Sequence, residues 1–289
     1  MRRGRVIRIF ALVLGICILL TGVVYLLLRQ DWWFLLEQKN KRYEPLALSP
    51  TSVEEGKVWT LEELLVQSWV EQSDALMLIN KDYPLPKGYE AHVQEYNGAY
   101  MSPVMVDSYV AMRDAVQSKT GVRIYVSADY RTWEEQEKIF LESDPGVAAP
   151  AGCSEHQAGL ALDVYAPYHA GMEFIKSSAG REVNRTCAAY GFVIRYPLHK
   201  TDVTGFAYEP WHLRYVGMPH ATLMSQSGLV LEEYIQALTP DVWFSFEGYL
   251  ILRTASETVT LPEQTSHCTV SPDNTGYYII TVTTDADVS

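Results

Sequence analysis

The chain carries two hydrophobic patterns, one near its start and another through the rest. From Ile9 to Leu28 it runs twenty residues without a charge, roughly 30 Å as a helix and about the thickness of a bilayer's hydrocarbon core. Beyond this stretch, apolar positions recur in shorter, periodic runs. Thr60 to Ser73 reads as a helix, and Ala75 to Asn80 as an apolar strand ending at the Pro84–Pro86 turn. Ser102-Pro103 supplies an N-cap and a proline at the first helical position. Met105, Tyr109, Met112 and Val116 then recur at helical spacing until Gly121. Val122, Ile124 and Val126 alternate with Arg123 and Tyr125, the pattern of a strand with one buried face. Thr132 and Glu135 form a capping box for a second helix, in which Trp133, Ile139 and Phe140 are the apolar residues.

Leu160, Leu162 and Val164 predict another strand. Ser178 to Tyr190 predicts a helix closed by Gly191, followed by a strand over Phe192 to Tyr196. Leu213 to Val216 predicts a further strand, and helices follow between Pro219 and Leu238. Past Pro240 the segment Val242 to Thr284 is rich in Thr, Val, Tyr and Ile with turn residues between, which predicts a small β appendage. Helices and strands mix without a regular βαβ rhythm. The expected class is therefore α+β, a largely antiparallel sheet with flanking helices, preceded by the transmembrane helix. The boundaries that follow are a cytoplasmic tail at 1–8, an anchor at 9–28, a stalk at 29–57, the main domain at 58–239 and the appendage at 240–289. Mixed charge, Pro45 and Pro50 mark the stalk.

Charge gives the apolar run an orientation. Arg2, Arg3, Arg5 and Arg8 crowd the short segment before it, so the positive-inside rule leaves the N-terminus cytoplasmic and the rest outside, in a single-pass cell-membrane protein. A cleaved signal peptide is the competing reading, but the run is long for one and no A-x-A-like site follows it directly. The formal net charge of −12 argues against a nucleic-acid partner. Cys17 lies in the anchor, and Cys153, Cys187 and Cys268 make no C-x-x-C pair. Neither a disulfide framework nor a thiolate metal site is expected.

Two segments hold the candidate chemistry, Ser154-Glu155-His156-Gln157-Ala158-Gly159-Leu160-Ala161-Leu162-Asp163 and Glu209-Pro210-Trp211-His212-Leu213-Arg214-Tyr215. His156, Asp163 and His212 offer two imidazoles and a carboxylate, a set that binds zinc and leaves a fourth position for water. Glu209 is a carboxylate beside that set and free to act as general base. Asp163 and Ala161 share one strand face, and the small Ala161 leaves room for an ion. His156 is an odd number of residues from Asp163, so a continuous strand would separate them, and Gly159 can supply the turn that reunites them. Pro210 places Glu209 in a loop and His212 at the entry to a strand. Taken alone, a His-x6-Asp pair among 7 histidines and 35 acids is more often structural or solvated. His92, His169, His199, His220 and His267 lack such neighbours and read as surface or core histidines.

Read whole, S-x-H-x-x-G-x-A-x-D followed by E-P-W-H-L-R-Y resembles the VanY-type D-alanyl-D-alanine carboxypeptidases, within a wider group that includes D-Ala-D-Ala dipeptidases and the Hedgehog signalling domain. The resemblance runs from about Asn80 through Gly217, with Asn80-Lys81-Asp82-Tyr83-Pro84-Leu85-Pro86 and Tyr190-Gly191-Phe192-Val193-Ile194-Arg195-Tyr196-Pro197, and leaves out the stalk and the appendage. It implies that His156, Asp163 and His212 are zinc ligands and that Glu209 is the catalytic base. Ser127-Ala128-Asp129-Tyr130-Arg131 resembles the family's S-G-Y-R, with one extra residue and Ala-Asp in place of Gly. Arg131 is thereby implied as substrate clamp and oxyanion stabiliser, with Gln136 and Ser154 binding the terminal D-Ala. If Thr132 is the N-cap, Arg131 and Gln136 face each other across the first helical turn.

The resemblance implies zinc-dependent removal of the terminal D-Ala from peptidoglycan muropeptides ending in D-Ala-D-Ala, and a contribution to glycopeptide resistance. The same zinc core also suits an L,D-carboxypeptidase or a wall endopeptidase. A non-catalytic zinc-bound wall-binding module is the alternative from another class, and Glu209 beside a complete ligand set speaks against it. The β appendage is expected to bind wall polymer or a partner, or to cap a sheet edge.

Overall fold

Ser102-Pro103 and Gly121 bound an α-helix, Pro103–Thr120, in the computed structural model, which describes residues 2–284. Gly121 closes the helix with φ +73°, a left-handed conformation that costs glycine little. Met105, Tyr109, Met112 and Val116 are buried on one side of it, as their spacing predicts. They share an apolar core with Ala179 and Val183 of the helix Ser178–Thr186 and with Leu162, Val164, Phe192 and Leu213 of a four-stranded sheet. Each of the Val, Leu, Met and Phe side chains among them contributes roughly 1.5–3 kcal/mol on burial.

That sheet runs in the order Tyr125–Ala128, Ala161–Tyr165, His212–Tyr215, Phe192–Ile194, every neighbour antiparallel. Its register pairs Ala128 with Asp163, and Asp163 with His212. The expected helix over 178–190 divides into Ser178–Thr186 and a 3-10 turn, Cys187–Tyr190, before Gly191. Helices His220–Ser227 and Leu231–Ala237 follow. His220 lies in the core, its ring nitrogens 2.8 and 3.0 Å from the hydroxyls of Tyr234 and Thr281. The cysteines are free.

Three expectations need correction. The segment from Thr60 makes a helix only over Leu61–Leu65, opened by a reciprocal capping box between Thr60 and Glu63. Val70–Gln72 then leaves as a strand parallel to Cys268–Val270. Ala75 to Asn80 is buried up to Ile79 but is not a strand. Its backbone groups pair with side chains and with a loop: Arg214 donates to the carbonyls of Ala75 and Met77, Asn274 donates to that of Leu78, and the Leu78 N–H donates to Asp273. Side-chain donors satisfy a buried backbone as well as a ladder does.

The expected stalk and appendage also merge with the main body. A six-stranded sheet joins Ser49–Thr51, Trp243–Phe246, Tyr249–Thr254, Tyr278–Thr284, Thr265–Pro272 and Val70–Gln72 in that order. A two-stranded ribbon pairs Lys57–Thr60 with Thr258–Leu261. Residues from both sides of position 240 share one core, in which Leu231, Tyr234 and Ile235 lie with Phe244, Ile251 and Ile279. The C-terminal segment thus supplies four of the six strands of a sheet completed by two from before residue 73, and the described residues from 42 onward form one compact unit.

The described residues up to 41 form a separate unit. Helix Arg2–Leu28 contains the apolar stretch Phe10–Leu27, whose side chains are exposed, and is long enough to cross a bilayer. A second helix, Gln30–Lys39, occupies the start of the expected stalk. Arg29 grips Asp31 through two hydrogen bonds of 2.9 Å, and Asp31 sits in the first turn, where a negative charge suits the helix dipole.

Candidate active site

Strand register builds half the site. Asp163 and His212 stand directly opposite each other on adjacent antiparallel strands, so their side chains leave the same face about 5 Å apart at Cβ. His156 comes from a 3-10 turn, Glu155–Ala158, that precedes the Ala161–Tyr165 strand. Gly159 ends this turn at φ +67°, and a Cβ there would lie 2.5 Å from the Val93 side chain and 3.2 Å from the Ser102 backbone nitrogen. Only glycine suits that reversal, which folds His156 back over Asp163.

One ligand atom from each of His156, Asp163 and His212 lies within 4.8 Å of the other two. Asp163 Oδ1 is 3.5 Å from His156 Nε2 and 3.0 Å from His212 Nδ1. The two imidazoles therefore present different nitrogens to the same point. His156 Nδ1 is held 2.7 Å from the Asp129 carbonyl, which leaves Nε2 facing inward. Asp163 Oδ1 is buried without a hydrogen-bond partner among the described residues, although both imidazoles are near. A buried carboxylate oxygen unpaired between two nitrogens suits a divalent cation, and two imidazoles with one carboxylate form a zinc set with an open position.

The electrostatics agree. Burial would raise the Asp163 carboxyl, but the two imidazoles hold it well below the usual carboxylate range. Burial pushes His156 down, toward the neutral form that ligates metal. Burial would also lower His212, yet its contacts with Asp163 and Glu155 outweigh this and hold it up at about 9. A site that draws a proton between carboxylates also draws a cation.

Glu209 lies outside this trio, with Oε2 3.8 Å from His212 Nδ1. Burial pushes its carboxyl up, His212 and Arg131 oppose that, and the charge of Asp163 adds to it. The Glu209 N–H donates to the Tyr196 carbonyl and its own carbonyl accepts from the His212 N–H, which fixes the turn between them. A pocket of about 240 Å³ opens here, bounded by Arg131, Gln136, Ser154, Tyr196, Glu209 and Trp211 around the ligand trio.

The other expected residues reach the same pocket. Thr132 and Glu135 form the anticipated capping box on the helix Trp133–Glu142, and Arg131 Nη1 donates to Gln136 Oε1 at 3.2 Å. Arg131 Nη2 stands 3.6 Å from Asp163 Oδ2, and its backbone N–H donates to the His156 carbonyl. Gln136 is buried and also donates to the Ala149 carbonyl at 2.7 Å, so it braces the loop on the far side. Ser154 is buried, lines the pocket and makes no cap hydrogen bond to the turn it precedes.

Sequence reasoning assigned no role to four residues that matter here. Glu155 is fully buried and pairs with Arg195 at 2.6 Å and Arg214 at 2.8 Å, and Arg195 also pairs with Glu232 at 2.7 Å. The arginines hold the Glu155 carboxyl far below its ordinary range against the opposing effect of burial. A signal was available, since Arg195 and Arg214 each interrupt an otherwise apolar strand run.

Comparison with known proteins adds independent findings. A profile of the family described as "VanY: D-alanyl-D-alanine carboxypeptidase" matches residues 98–218. A D-alanyl-D-alanine carboxypeptidase of Enterococcus faecium is 33% identical over 247 residues, covering 77% of this chain and 79% of that protein. Among solved structures, the vancomycin-resistance D,D-dipeptidase VanXYg, in complex with a D-Ala-D-Ala phosphinate analogue, aligns with TM-score 0.65 at 25% identity, over 80% of this chain and all of that one. A glutamate-to-alanine variant of the D,D-pentapeptidase VanY from a VanB-type resistance cassette, in complex with Zn(II), aligns with TM-score 0.51 at 32% identity, over 56% of this chain and 99% of that one.

Proposed function

The chain belongs to the VanY family of D-alanyl-D-alanine carboxypeptidases, and from that premise we propose that His156, Asp163 and His212 hold its zinc, that Glu209 is the base, and that Arg131 reads the substrate's terminal carboxylate. The protein is a zinc-dependent hydrolase that removes the last D-Ala from cell-wall peptides ending in D-Ala-D-Ala. The observation that carries the residue assignment is the convergence of His156 Nε2, Asp163 Oδ1 and His212 Nδ1, with Glu209 beside them on the pocket wall.

When bound, zinc supplies Lewis acidity to the attacking water and to the scissile carbonyl. Glu209 takes the water's proton and returns it to the departing amine of D-Ala, a shuttle helped by a carboxyl that burial has raised. Arg131, held by Gln136 and tied to the His156 turn, places its guanidinium at the pocket edge to grip a carboxylate and to stabilise the oxyanion. Ser154 and Gln136 line the side where the terminal residue sits. Loss of the last D-Ala removes the terminus that glycopeptides bind, so the reaction lowers the number of vancomycin targets.

Arg131→Lys tests the carboxypeptidase assignment. A guanidinium grips a carboxylate through two parallel hydrogen bonds, whereas an ammonium is a point charge. The variant is expected to lose about 1.5–3 kcal/mol in kcat/KM on a peptide acid, and less on the matching D-Ala-D-Ala amide, which the parent cleaves poorly. Equal losses on acid and amide would show that Arg131 does not read the carboxylate.

A helix of this length and composition serves as a membrane anchor or as a signal sequence. We read it as an uncleaved anchor with the arginine-rich end in the cytoplasm and the catalytic unit outside. Intact cells treated with protease are expected to lose the catalytic unit, while membrane-bound protein keeps its N-terminal residues. A mature chain starting beyond Leu28 refutes the anchor.

A further inference from the structure

The face of His212 turned away from the metal position meets the carboxylate of Glu155, held by a network from four other parts of the chain. Glu155 Oε1 accepts from Arg195 Nε at 2.6 Å and is paired with Arg214 Nη1 at 2.8 Å. Arg195 is fixed in turn by two hydrogen bonds to Glu232, of 2.9 and 2.7 Å, on the helix Leu231–Ala237. Arg214 Nη2 is fixed by the carbonyls of Ala75 and Met77, at 3.0 and 2.8 Å. Both guanidinium groups thus engage the same oxygen of Glu155, and Oε2 remains. It lies 3.6 Å from His212 Nε2. Among the described residues neither of these two buried atoms has a hydrogen-bond partner.

The pair stands just beyond hydrogen-bond range. Tetrahedral zinc with bonds near 2.0–2.1 Å sets its ligand atoms about 3.4 Å apart. His156 Nε2 and Asp163 Oδ1 already stand 3.5 Å apart, but His212 Nδ1 is only 3.0 Å from Asp163 Oδ1. An ion held by these three donors would favour a wider separation of His212 Nδ1 and Asp163 Oδ1. The other nitrogen of the same ring, Nε2, faces Glu155 Oε2 just beyond hydrogen-bond range, so a buried donor position and a buried acceptor stand ready to pair.

We propose that Glu155 is a positioning residue for the zinc site, accepting the Nε2–H of His212 so that Nδ1 is the nitrogen presented to the metal. Resting on the ligand assignment above, this extends it to a role in metal affinity. Arg195 and Arg214 aim the carboxylate and offset its charge, and Glu232, Ala75 and Met77 keep the arginines in place. His156 has the equivalent support from the Asp129 carbonyl, a neutral acceptor. The two ligands therefore differ in kind, and the loss of support at His212 removes the charged one.

The test measures zinc affinity of the full-length protein by chelator competition, with apo-protein thermal melting as the folding control. Glu155→Gln keeps the shape, and Glu155→Asp keeps the charge but withdraws it by one methylene. Both are expected to weaken zinc binding by about 10–100-fold, relative to folded apoprotein. A second measurement does not depend on either variant folding. In zinc-loaded parent labelled with 15N-histidine, His212 should show a metal-bound Nδ1 and a slowly exchanging, downfield Nε2–H. Parent affinity in folded Glu155→Gln and Glu155→Asp overturns the proposal, and so does a His212 protonated at Nδ1. His212→Ala separates the two readings. If it leaves zinc affinity unchanged, the ligand assignment falls and this proposal with it. If it abolishes binding while the Glu155 variants do not alter it, only the role of Glu155 is lost.

Discussion

Glu209→Ala is expected to bind zinc like the parent and to release D-Ala on the order of 10²–10⁴ times more slowly, the scale of a missing general base. The expectation rests on a separation visible in the pocket. The three donors that converge leave Glu209 out, and its carboxylate is 3.8 Å from His212 Nδ1, beside the ligand position and facing the same pocket. A residue with that placement acts on the water's proton without being needed to retain the metal. Kinetics on a peptide ending in D-Ala-D-Ala, run beside metal analysis of the same preparation, tests both halves. Near-parent turnover moves the base elsewhere and revives the binding-module reading, whereas loss of zinc makes Glu209 a ligand.

The largest effect on the metal should come from the His156→Ala, His212→Ala double variant. The parent is expected to carry about one zinc per chain, and the variant none that survives dialysis, because a lone carboxylate does not hold zinc at a site built for three protein ligands. Activity should vanish with the metal and should not return on adding zinc. Undiminished stoichiometric zinc in the variant would refute the assignment of this trio.

Much of the local structure was legible because it depends on neighbours in the chain. The Thr132–Glu135 capping box, the helix from Pro103 to Gly121 and the turn at Gly159 each follow from residues within a few positions of one another. The capping box also set the expected pair. It puts Arg131 and Gln136 on facing sides of one turn, and they hydrogen-bond there. The convergence of His156, Asp163 and His212 as candidate ligands was legible for a different reason, since only a few residue types bind zinc and the two motifs supply them beside another carboxylate.

Long-range pairing was not legible. Ser49–Thr51 reads as linker because a short exposed strand has no period of its own, and its partner lies almost two hundred residues away in Trp243–Ser245. Ala75 to Asn80 has the apolar run of a strand, but its backbone partners are side chains and a loop that meet it only in the folded chain.

By itself the sequence determined which side chains could hold a zinc ion, which carboxylate stood spare, and where the turns between them fell. The tertiary structure alone decided which nitrogen each imidazole presents and what stands behind it. Asp129 behind His156, and Glu155 with Arg195, Arg214 and Glu232 behind His212, come from separate elements brought together by sheet register and core packing. The physical reason is that ligand chemistry belongs to a side chain wherever it stands, whereas a hydrogen bond to its far nitrogen exists only once a partner has been folded against it.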